Sequence, residues 1–548
     1  MPTLLQAFAV TGGTTPSPDE LARRYFEDAL AETARNVSPL YTLDHVDWVV
    51  LVLYFSILLL LAAFGVYRVR QVIDFWRYRR LAPRPKRLFD EAELPTLTVQ
   101  LPLFNEVYVV ERLLAAVAAL DYPRERFEIQ VLDDSTDETR ETAARAVERL
   151  RREGLDISYI HREDRAGFKA GALENGLKTA KGELVAIFDA DFVPRPDALR
   201  KLVHFFTDPL TACAQMRWSH INGSFNLLTR LQTVLLDGHF VVEQTVRNRT
   251  GGFFNFNGTA GLWRRRAIEL SGGWQHDTLT EDTDLSFRAQ LMGWRFVYLL
   301  DEDAPSEVPV DANAFKAQQR RWAKGVTEVA IKLYPRIARA RLPWRVKLEM
   351  FFRLTGNISY PLMIVVSLLQ LPLLLVRYNQ GLYNLMLVDV PLLTFSTLSV
   401  VLFYGSAILY LDGRSRARLK YLPLVMALGI GLALSNARAV LEAVLGIKTE
   451  FVRTPKDGVG GGRREGESLK RRKKYRRGRV WLPFVELTFA AYFVAAIAYA
   501  AHMGLWGTLP FLSLFLFGYG YMGATSLLET AGVRRLLDSL RPLALGRK

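Results

Sequence analysis

The sequence predicts an α/β nucleotide-binding domain inserted in a helical transmembrane domain. Three observations carry that expectation. Apolar runs of about twenty residues, enough to cross a bilayer core, flank a long polar stretch. Within that stretch, residues 95–330 alternate short β-rich runs with helical patterns. Two of the β-rich runs end in paired acids, where a parallel sheet binds its ligands. The chain has 548 residues and a net charge of +15, too long for one ordinary domain. Its one cysteine, Cys213, excludes an intrachain disulfide.

Residues 1–45 are polar and lack a basic segment followed by an apolar one, so they do not read as a secretory signal. The run VDWVVLVLYFSILLLLAAFGVY (46–67) is the first span. Its right flank, RVRQVIDFWRYRRLAPRPKR, is basic and therefore cytosolic, which leaves the N-terminus outside. Further spans are expected at 356–376, 386–411, 481–503 and 507–528, with an interfacial helix at 336–355. The apolar run 421–446 carries Asn436, Arg438 and Glu442, and a densely basic loop follows it within 447–480. Translocating that loop would break the positive-inside rule. The run therefore reads as an interfacial or re-entrant helix. Five spans keep every basic loop, and the tail 529–548, inside. The basic loop alone reads equally as a topology determinant on anionic lipid. Because the basic residues track the cytosolic membrane face, the charge calls for no nucleic-acid partner.

The soluble insert, 85–335, follows a β-α-β rhythm. TLTVQLPLFNE is a strand ending at a turn, and VVERLLAAVAAL is helical. FEIQVLDDSTDET is a buried strand tipped by Asp133 and Asp134. A helix, ETAARAVERLRREG, and a strand, ISYIHRED, follow. ELVAIFDADFVP is a further strand, tipped by Asp189 and Asp191. A D-x-D at a strand end presents hard oxygens to a divalent cation that bridges substrate phosphates. Alone it is weak, since acids are common in turns; two acid-tipped strands in one domain are stronger. RAGFKAGALENGL (165–177) offers glycines, a helix start and Lys169 to a diphosphate, as a capped surface helix also would. QQRRW (318–322), at the membrane edge, would read alone as a headgroup anchor.

The ordered motifs DDS, KAG, DAD, FNGTAGLWRR, TED and QxxRW resemble those of membrane-embedded processive family 2 glycosyltransferases, the cellulose, chitin and hyaluronan synthases. VQLPLFNE, VLDDSTDET, FKAGAL, VAIFDADFVP and FNFNGTAGLWRR look most like the plant cellulose-synthase-like A and C proteins. The resemblance is dense over 95–330 and extends to the membrane part by layout. It implies a GT-A-type nucleotide-sugar-binding domain among about five spans and interfacial helices.

The resemblance also implies residue roles. Asp133 and Asp134 would contact the nucleotide, and Lys169 its base or diphosphate. Asp189 and Asp191 would form the D-x-D, with Asp191 on Mg2+ or Mn2+. Asp282, within Thr280-Glu281-Asp282, would be the general base. Asn257, Gly258 and Thr259 would line the acceptor path. Gln318 and Arg321 would serve the donor diphosphate, and Trp322 would stack on the acceptor sugar. FVRTPK (451–456) resembles a gating loop, matching at Phe451, Thr454 and Lys456 and departing at Arg453.

The implied enzyme is an inverting processive hexosyltransferase. It would polymerise a β-linked, β-1,4 glucan or mannan from UDP-glucose or GDP-mannose and pass the growing glycan through the lipid bilayer. It would be a multi-pass protein of the plasma or inner membrane, with the catalytic domain and C-terminus cytosolic. Accessory export proteins are left open. A non-processive enzyme making a glycolipid is the alternative; a scaffold or transporter with a degenerate domain is a third. The sequence shows neither a cyclic-dinucleotide-binding domain after the last span nor a cysteine-rich zinc domain.

Overall fold

The computed structural model describes residues 44–379, 386–413, 416–449, 453, 454, 456, 458 and 481–530. Expectations for the N-terminal segment before residue 44, for Phe451, for the basic part of 447–480 and for the tail beyond 530 lie outside the described residues.

A continuous apolar helix, α1 (His45–Tyr78), enters first. It runs well past the predicted end at 67, because RVRQVIDFWRY has no helix breaker. A sheet of seven strands follows, in the order β3-β2-β1-β4-β6-β5-β7. These are β1 (Leu97–Leu103), β2 (Phe127–Asp133), β3 (Ile157–His161), β4 (Leu184–Ile187), β5 (Thr211–His220), β6 (Gly261–Arg264) and β7 (Arg295–Ser306). Strands β3, β2, β1 and β4 are parallel to one another. β6 runs antiparallel between β4 and β5, and β7 parallels β5. Every residue of β2 and β4 is buried, as expected for strands covered on both faces.

The helices of the domain are α2 (Val110–Ala118), α3 (Thr139–Arg152), α4 (Phe168–Leu177), α5 (Ala198–Val203), α6 (Leu227–Asp237), α7 (Gln244–Arg249), α8 (Arg265–Leu270) and α9 (Glu281–Leu291). Helix α2 shows why sequence and fold agree. Its buried Val110, Leu113, Leu114 and Val117 recur at i, i+3, i+4, i+7 and pack in the core with Val99, Leu101 and Val131 of the sheet.

Beyond the sheet, α10 (Ala312–Arg339) carries Gln318 to Trp322. The expected interfacial helix at 336–355 is corrected. Residues 336–339 finish α10, the chain breaks before Pro343, and α11 (Trp344–Thr355) starts anew. A residue preceding proline is pushed out of helical geometry, which fixes the break. Helix α11 runs on through a short 3-10 turn into α12 (Ser359–Asn379). Then come α13 (Met386–Asp412), α14 (Leu422–Gly431), α15 (Ala433–Val444), α16 (Leu482–His502) and α17 (Leu509–Leu528). Five helices are long and apolar enough to cross a membrane, or six if the pair α14–α15, bent by 43°, counts as one span. Glycines let α14 and α17 touch: a Cβ on Gly431 would sit 2.4 Å from the carbonyl of Gly518.

Buried ion pairs join α10 to these helices. Lys316 donates to Glu486 of α16 at 2.6 Å, both nearly inaccessible. Arg320 pairs with Glu442 of α15. Removing one partner of such a pair strands a buried charge, at a cost of about 3–5 kcal/mol. Lys316→Met is therefore expected to lower the thermal stability of the purified protein markedly. Lys316→Met combined with Glu486→Gln should recover most of the loss. Additive losses in a double-mutant cycle would show that the pair does not hold the two parts together.

Candidate active site

The D-x-D turn is held from both sides. Asp189 N–H donates to Thr259 Oγ1 at 2.8 Å, and Phe188 N–H to the Gln100 carbonyl of β1 at 3.2 Å. Beyond the motif, Val193 N–H donates to the Pro305 carbonyl of β7 at 2.9 Å. The two carboxylates each receive an ammonium. Lys169 Nζ donates to Asp189 and, at 3.0 Å, to the Gly258 carbonyl. Lys456 Nζ donates to Asp191 at 2.7 Å.

The FNGTAG turn lies against this pair. Gly258 has φ +81° and Ala260 +59°, both left-handed. A Cβ on Gly258 would meet Asp282 Oδ2 at 3.1 Å and Lys169 Nζ at 3.3 Å, so the glycine allows the acidic group to approach the turn. Asn257 beside it is tied down. Its Oδ1 accepts from Gln215 at 3.0 Å and Gln244 at 2.6 Å, and its Nδ2 donates to His239 Nε2 at 3.0 Å. His239 sits in a π-helical turn, Gly238–Glu243, and its Nδ1 meets Glu243 at 2.8 Å. Sequence reasoning did not single out His239, and a π-turn has no simple sequence signature.

Asp282 is the second residue of α9, in the first turn where the helix dipole favours a carboxylate. Thr283 N–H donates to its Oδ1 at 2.7 Å. Burial nevertheless pushes its pKa up to about 7, reinforced by the neighbouring Glu281 and opposed by Lys169. Burial and like charge thus outweigh the helix end. A carboxylic acid tuned to neutrality suits proton transfer.

Helix α10 brings the third group. Gln318, Arg321 and Trp322, spaced i, i+3, i+4, all line the same cavity, while Arg320 turns to Glu442. Arg321 is half-buried and faces the charges of Glu281, Asp189, Asp282 and Asp191; loss of hydration there holds its pKa below the usual range. The close packing has one cause. A Cβ on Gly325 would fall 2.5 Å from Thr280 Cγ2 and 2.8 Å from its backbone nitrogen.

The segment after α15 closes the list. Thr454 is buried and, with Lys456, lines the cavity. Arg453, the departure from the gating pattern, forms a bidentate pair with Glu106 at 2.9 and 2.7 Å. Gly458 N–H donates to Glu307 at 3.1 Å.

Two expected placements are corrected, those of Asp133 and Thr259. Asp133 is fully buried and does not line the cavity; it accepts from Tyr159 OH at 2.6 Å and from Ser135 N–H at 2.9 Å, which makes it a strut under β2. Thr259 is buried beneath the D-x-D and supports Asp189 in place of lining an acceptor path. Asn257 reaches the cavity, but its amide is occupied by Gln215, Gln244 and His239. Asp134 lines the cavity with its carboxylate clamped by Arg162 at 2.8 and 2.5 Å. Glu106, Arg165, Trp218, His220 and Glu307 also line the cavity and were missed. All but Arg165 stand at or just after the ends of β1, β5 and β7. The rule that ligands gather at strand ends was applied only to β2 and β4.

Residues 95–325 match the family model described as "Glycosyltransferase like family 2". The chain is 43% identical over 275 residues to glucomannan 4-beta-mannosyltransferase 2 of Arabidopsis thaliana, covering 48% of this chain and 52% of that protein. It is 44% identical over 250 residues to glucomannan 4-beta-mannosyltransferase 1 of Oryza sativa subsp. japonica, covering 45% and 48%. The chain thus spans about half the length of the curated relatives it matches. Among solved structures, a mannosyltransferase from Pyrobaculum calidifontis in complex with GDP-Man and Mn2+ overlays with a TM-score of 0.44 at 21% identity. That overlay covers 65% of this chain and 100% of that one.

Gly325→Ala is expected to push α10 off the Thr280 loop. Overpacking of this kind costs about 1–3 kcal/mol, and here it should also displace Arg321 and Trp322. Expression and thermal unfolding of this variant, compared with Gly429→Ala on an uncrowded helix position, measure the effect. Equal stability of the two variants would refute the close contact.

Proposed function

We propose that residues 95–325, a family 2 glycosyltransferase domain of GT-A type, extend a β-linked mannan or glucomannan from GDP-mannose at a membrane. The carrying observation is convergence. A D-x-D, a buried carboxylic acid tuned near neutrality and an arginine–tryptophan pair on a helix tied to membrane helices all line one cavity. The likeness to glucomannan mannosyltransferases supports GDP-mannose over UDP-glucose as donor. The apolar helices support a multi-pass protein with this domain cytosolic, in the plasma or inner membrane, passing its growing chain through the bilayer.

In the proposed reaction the acceptor hydroxyl oxygen attacks C1 of the donor hexose and the C1–O bond to the diphosphate breaks, inverting the configuration. Asp282 takes the hydroxyl proton. Arg321 stabilises the negative charge that develops on the leaving diphosphate. Lys169 and Lys456 stand ready beside the D-x-D to do the same. Trp322 offers an aromatic face to the apolar C–H side of the acceptor sugar.

The D-x-D suits a hard divalent cation, Mg2+ or Mn2+. Its two carboxylates already draw ammonium groups into the cavity, and their oxygens are the donors such ions take. Among the described residues no three His, Cys, Asp or Glu side chains are grouped to hold an ion alone. Asp191, helped by Asp189, would therefore share it with the donor's phosphates, where it would supply further positive charge.

The test is turnover in lipid nanodiscs with GDP-mannose, GDP-glucose, UDP-glucose and UDP-N-acetylglucosamine offered separately, followed by sizing and linkage-specific digestion. A long polymer from GDP-mannose is expected; single-sugar glycolipids would replace this reading with the non-processive one. Asp282→Asn should lose about 10²–10⁴-fold in turnover and still bind GDP-mannose. Near-normal activity would sink the assignment.

The base works only when ionised. The rate should therefore rise with pH through an acid limb near 7, the value for Asp282, and level off above it. Removing the neighbouring charge favours ionisation of Asp282, so Glu281→Gln should move the limb to lower pH. An unmoved limb would assign the titration to another group.

A further inference from the structure

The cavity wall contributed by β5 has no role in the reaction as described above. Trp218 and His220 both line it. The indole N–H of Trp218 and both ring nitrogens of His220 are buried without a hydrogen-bond partner among the described residues. Thr280 Oγ1 and Thr454 Oγ1, which line the same cavity, share that condition. Buried polar atoms are ordinarily paired, and an unpaired one asks for an explanation. A group of them around one cavity is the lining that a polyhydroxylated ligand would complete.

The chemistry narrows the ligand. Burial, with Arg217, Lys456 and Arg418 nearby, pushes the His220 pKa down to about 3, so the ring is neutral. A neutral imidazole gives one N–H donor and one acceptor nitrogen, and the indole adds a second donor. A phosphate only accepts and would leave the acceptor nitrogen unpaired. A hydroxyl both donates and accepts, and matches. Position narrows it further. Asp134 and Arg162, expected at the nucleotide end, stand just after β2 and β3, whereas β5 lies beyond β1, β4 and β6 in the sheet. His220 pairs in register with Ser306 of β7, whose neighbour Pro305 holds the D-x-D loop at Val193. Phe240 stacks on Trp218 with centroids 4.7 Å apart, and Phe192, next to Asp191, meets it edge-on at 5.2 Å. Trp218 is therefore braced beside the D-x-D, and His220 feels the charge of Lys456, the partner of Asp191.

We propose that His220, assisted by the indole N–H of Trp218, is the subsite that hydrogen-bonds a hydroxyl of the transferred hexose and so helps to select the donor sugar. This rests on the glycosyltransferase reading above. The subsite leaves the nucleotide and metal contacts to other residues.

The experiment uses the full chain in nanodiscs and the variant His220→Phe, which keeps the ring volume and removes both nitrogens. Three readouts separate a sugar subsite from a merely structural histidine. Thermal stability should be unchanged or higher, because an unpaired buried group has been removed. Affinity for GDP should be unchanged. Affinity for GDP-mannose, and kcat/KM with it, should fall roughly tenfold, the scale of one hydrogen bond, and the preference between GDP-mannose and GDP-glucose should shift. Trp218→Phe, which removes one N–H, should move the same readouts less. Loss of donor hydrolysis without acceptor places the contact on the donor hexose. Loss confined to elongation of added mannooligosaccharides places it on the acceptor hexose and overturns the donor assignment. Raised stability with unchanged GDP-mannose binding would make His220 a core residue and overturn the proposal. If His220→Phe fails to fold, Trp218→Phe decides by the same binding ratio. A wild-type protein inactive with every donor would defeat the proposed function separately, since GDP-mannose binding still judges His220.

Discussion

The site depends on one constraint: carboxylates gathered at the end of a sheet need cations, and almost all of these come from distant segments. Asp189 is met by Lys169, Asp191 by Lys456, Glu106 by Arg453, Glu307 by Arg112 and Asp134 by Arg162. Their donors come from α2, α4, the loop after β3 and the segment beyond α15. Glu281 and Asp282 form no ion pair among the described residues. Pairing does not cancel burial: Glu106 and Glu307 are pushed up by burial even against Arg453 and Arg112, and Asp282 is pushed up with the like charge of Glu281 beside it. Lys169, whose charge opposes the rise at Asp282, is already engaged by Asp189 and the Gly258 carbonyl.

The same logic fixes the domain to the long apolar helices. Helix α10 has two working faces. One carries Gln318, Arg321 and Trp322 into the cavity. The other carries Lys316 and Arg320 to Glu486 and Glu442, while Lys324 reaches the Ile447 carbonyl and Thr449 Oγ1. Buried ion pairs add little net stability compared with apolar packing, yet they are costly to break singly. They therefore specify position better than they add strength. The residues that Lys324 holds lead directly into Arg453, Thr454 and Lys456, so the helix that offers the tryptophan also anchors the segment that reaches the D-x-D.

Legibility in the sequence followed the range of the interaction. The strands β1 to β4 and helices α2 to α4 are local patterns, and their periodicity was sufficient. So was the acid-tipped end of β4. The role of Asp133 was not legible, because whether a strand-end acid faces the cavity or Tyr159 depends on the pleat and on β3. Thr259 looked like part of a glycine-rich turn facing a ligand; its hydroxyl instead supports Asp189, a contact 70 residues apart in sequence. Arg453 read as a defect in a gating pattern, and only the fold supplies Glu106 as its partner. The break between α10 and α11 has a local mark in Pro343, yet the run 336–355 reads as one helix until the backbone geometry before that proline is taken into account.

The turn at Asn257 to Ala260 shows how far such contacts extend. Asn257 is held by His239, His239 by Glu243, Glu243 by Arg247, Arg247 by Glu349 of α11, and Glu349 by Tyr67 of α1. This chain of polar groups runs from the apolar helix α1 to the residue before Gly258. Gly258 then passes its carbonyl to Lys169, and Lys169 passes its charge to Asp189. A network of this kind is stiff only if every member is satisfied. These contacts link the turn beside Asp282 and the D-x-D loop to α1, although Arg247 Nη1, 3.2 Å from Glu243, makes no hydrogen bond among the described residues. The ion pairs of Arg453 with Glu106 and of Lys456 with Asp191 stand outside this chain of contacts, so exchanging them leaves it intact.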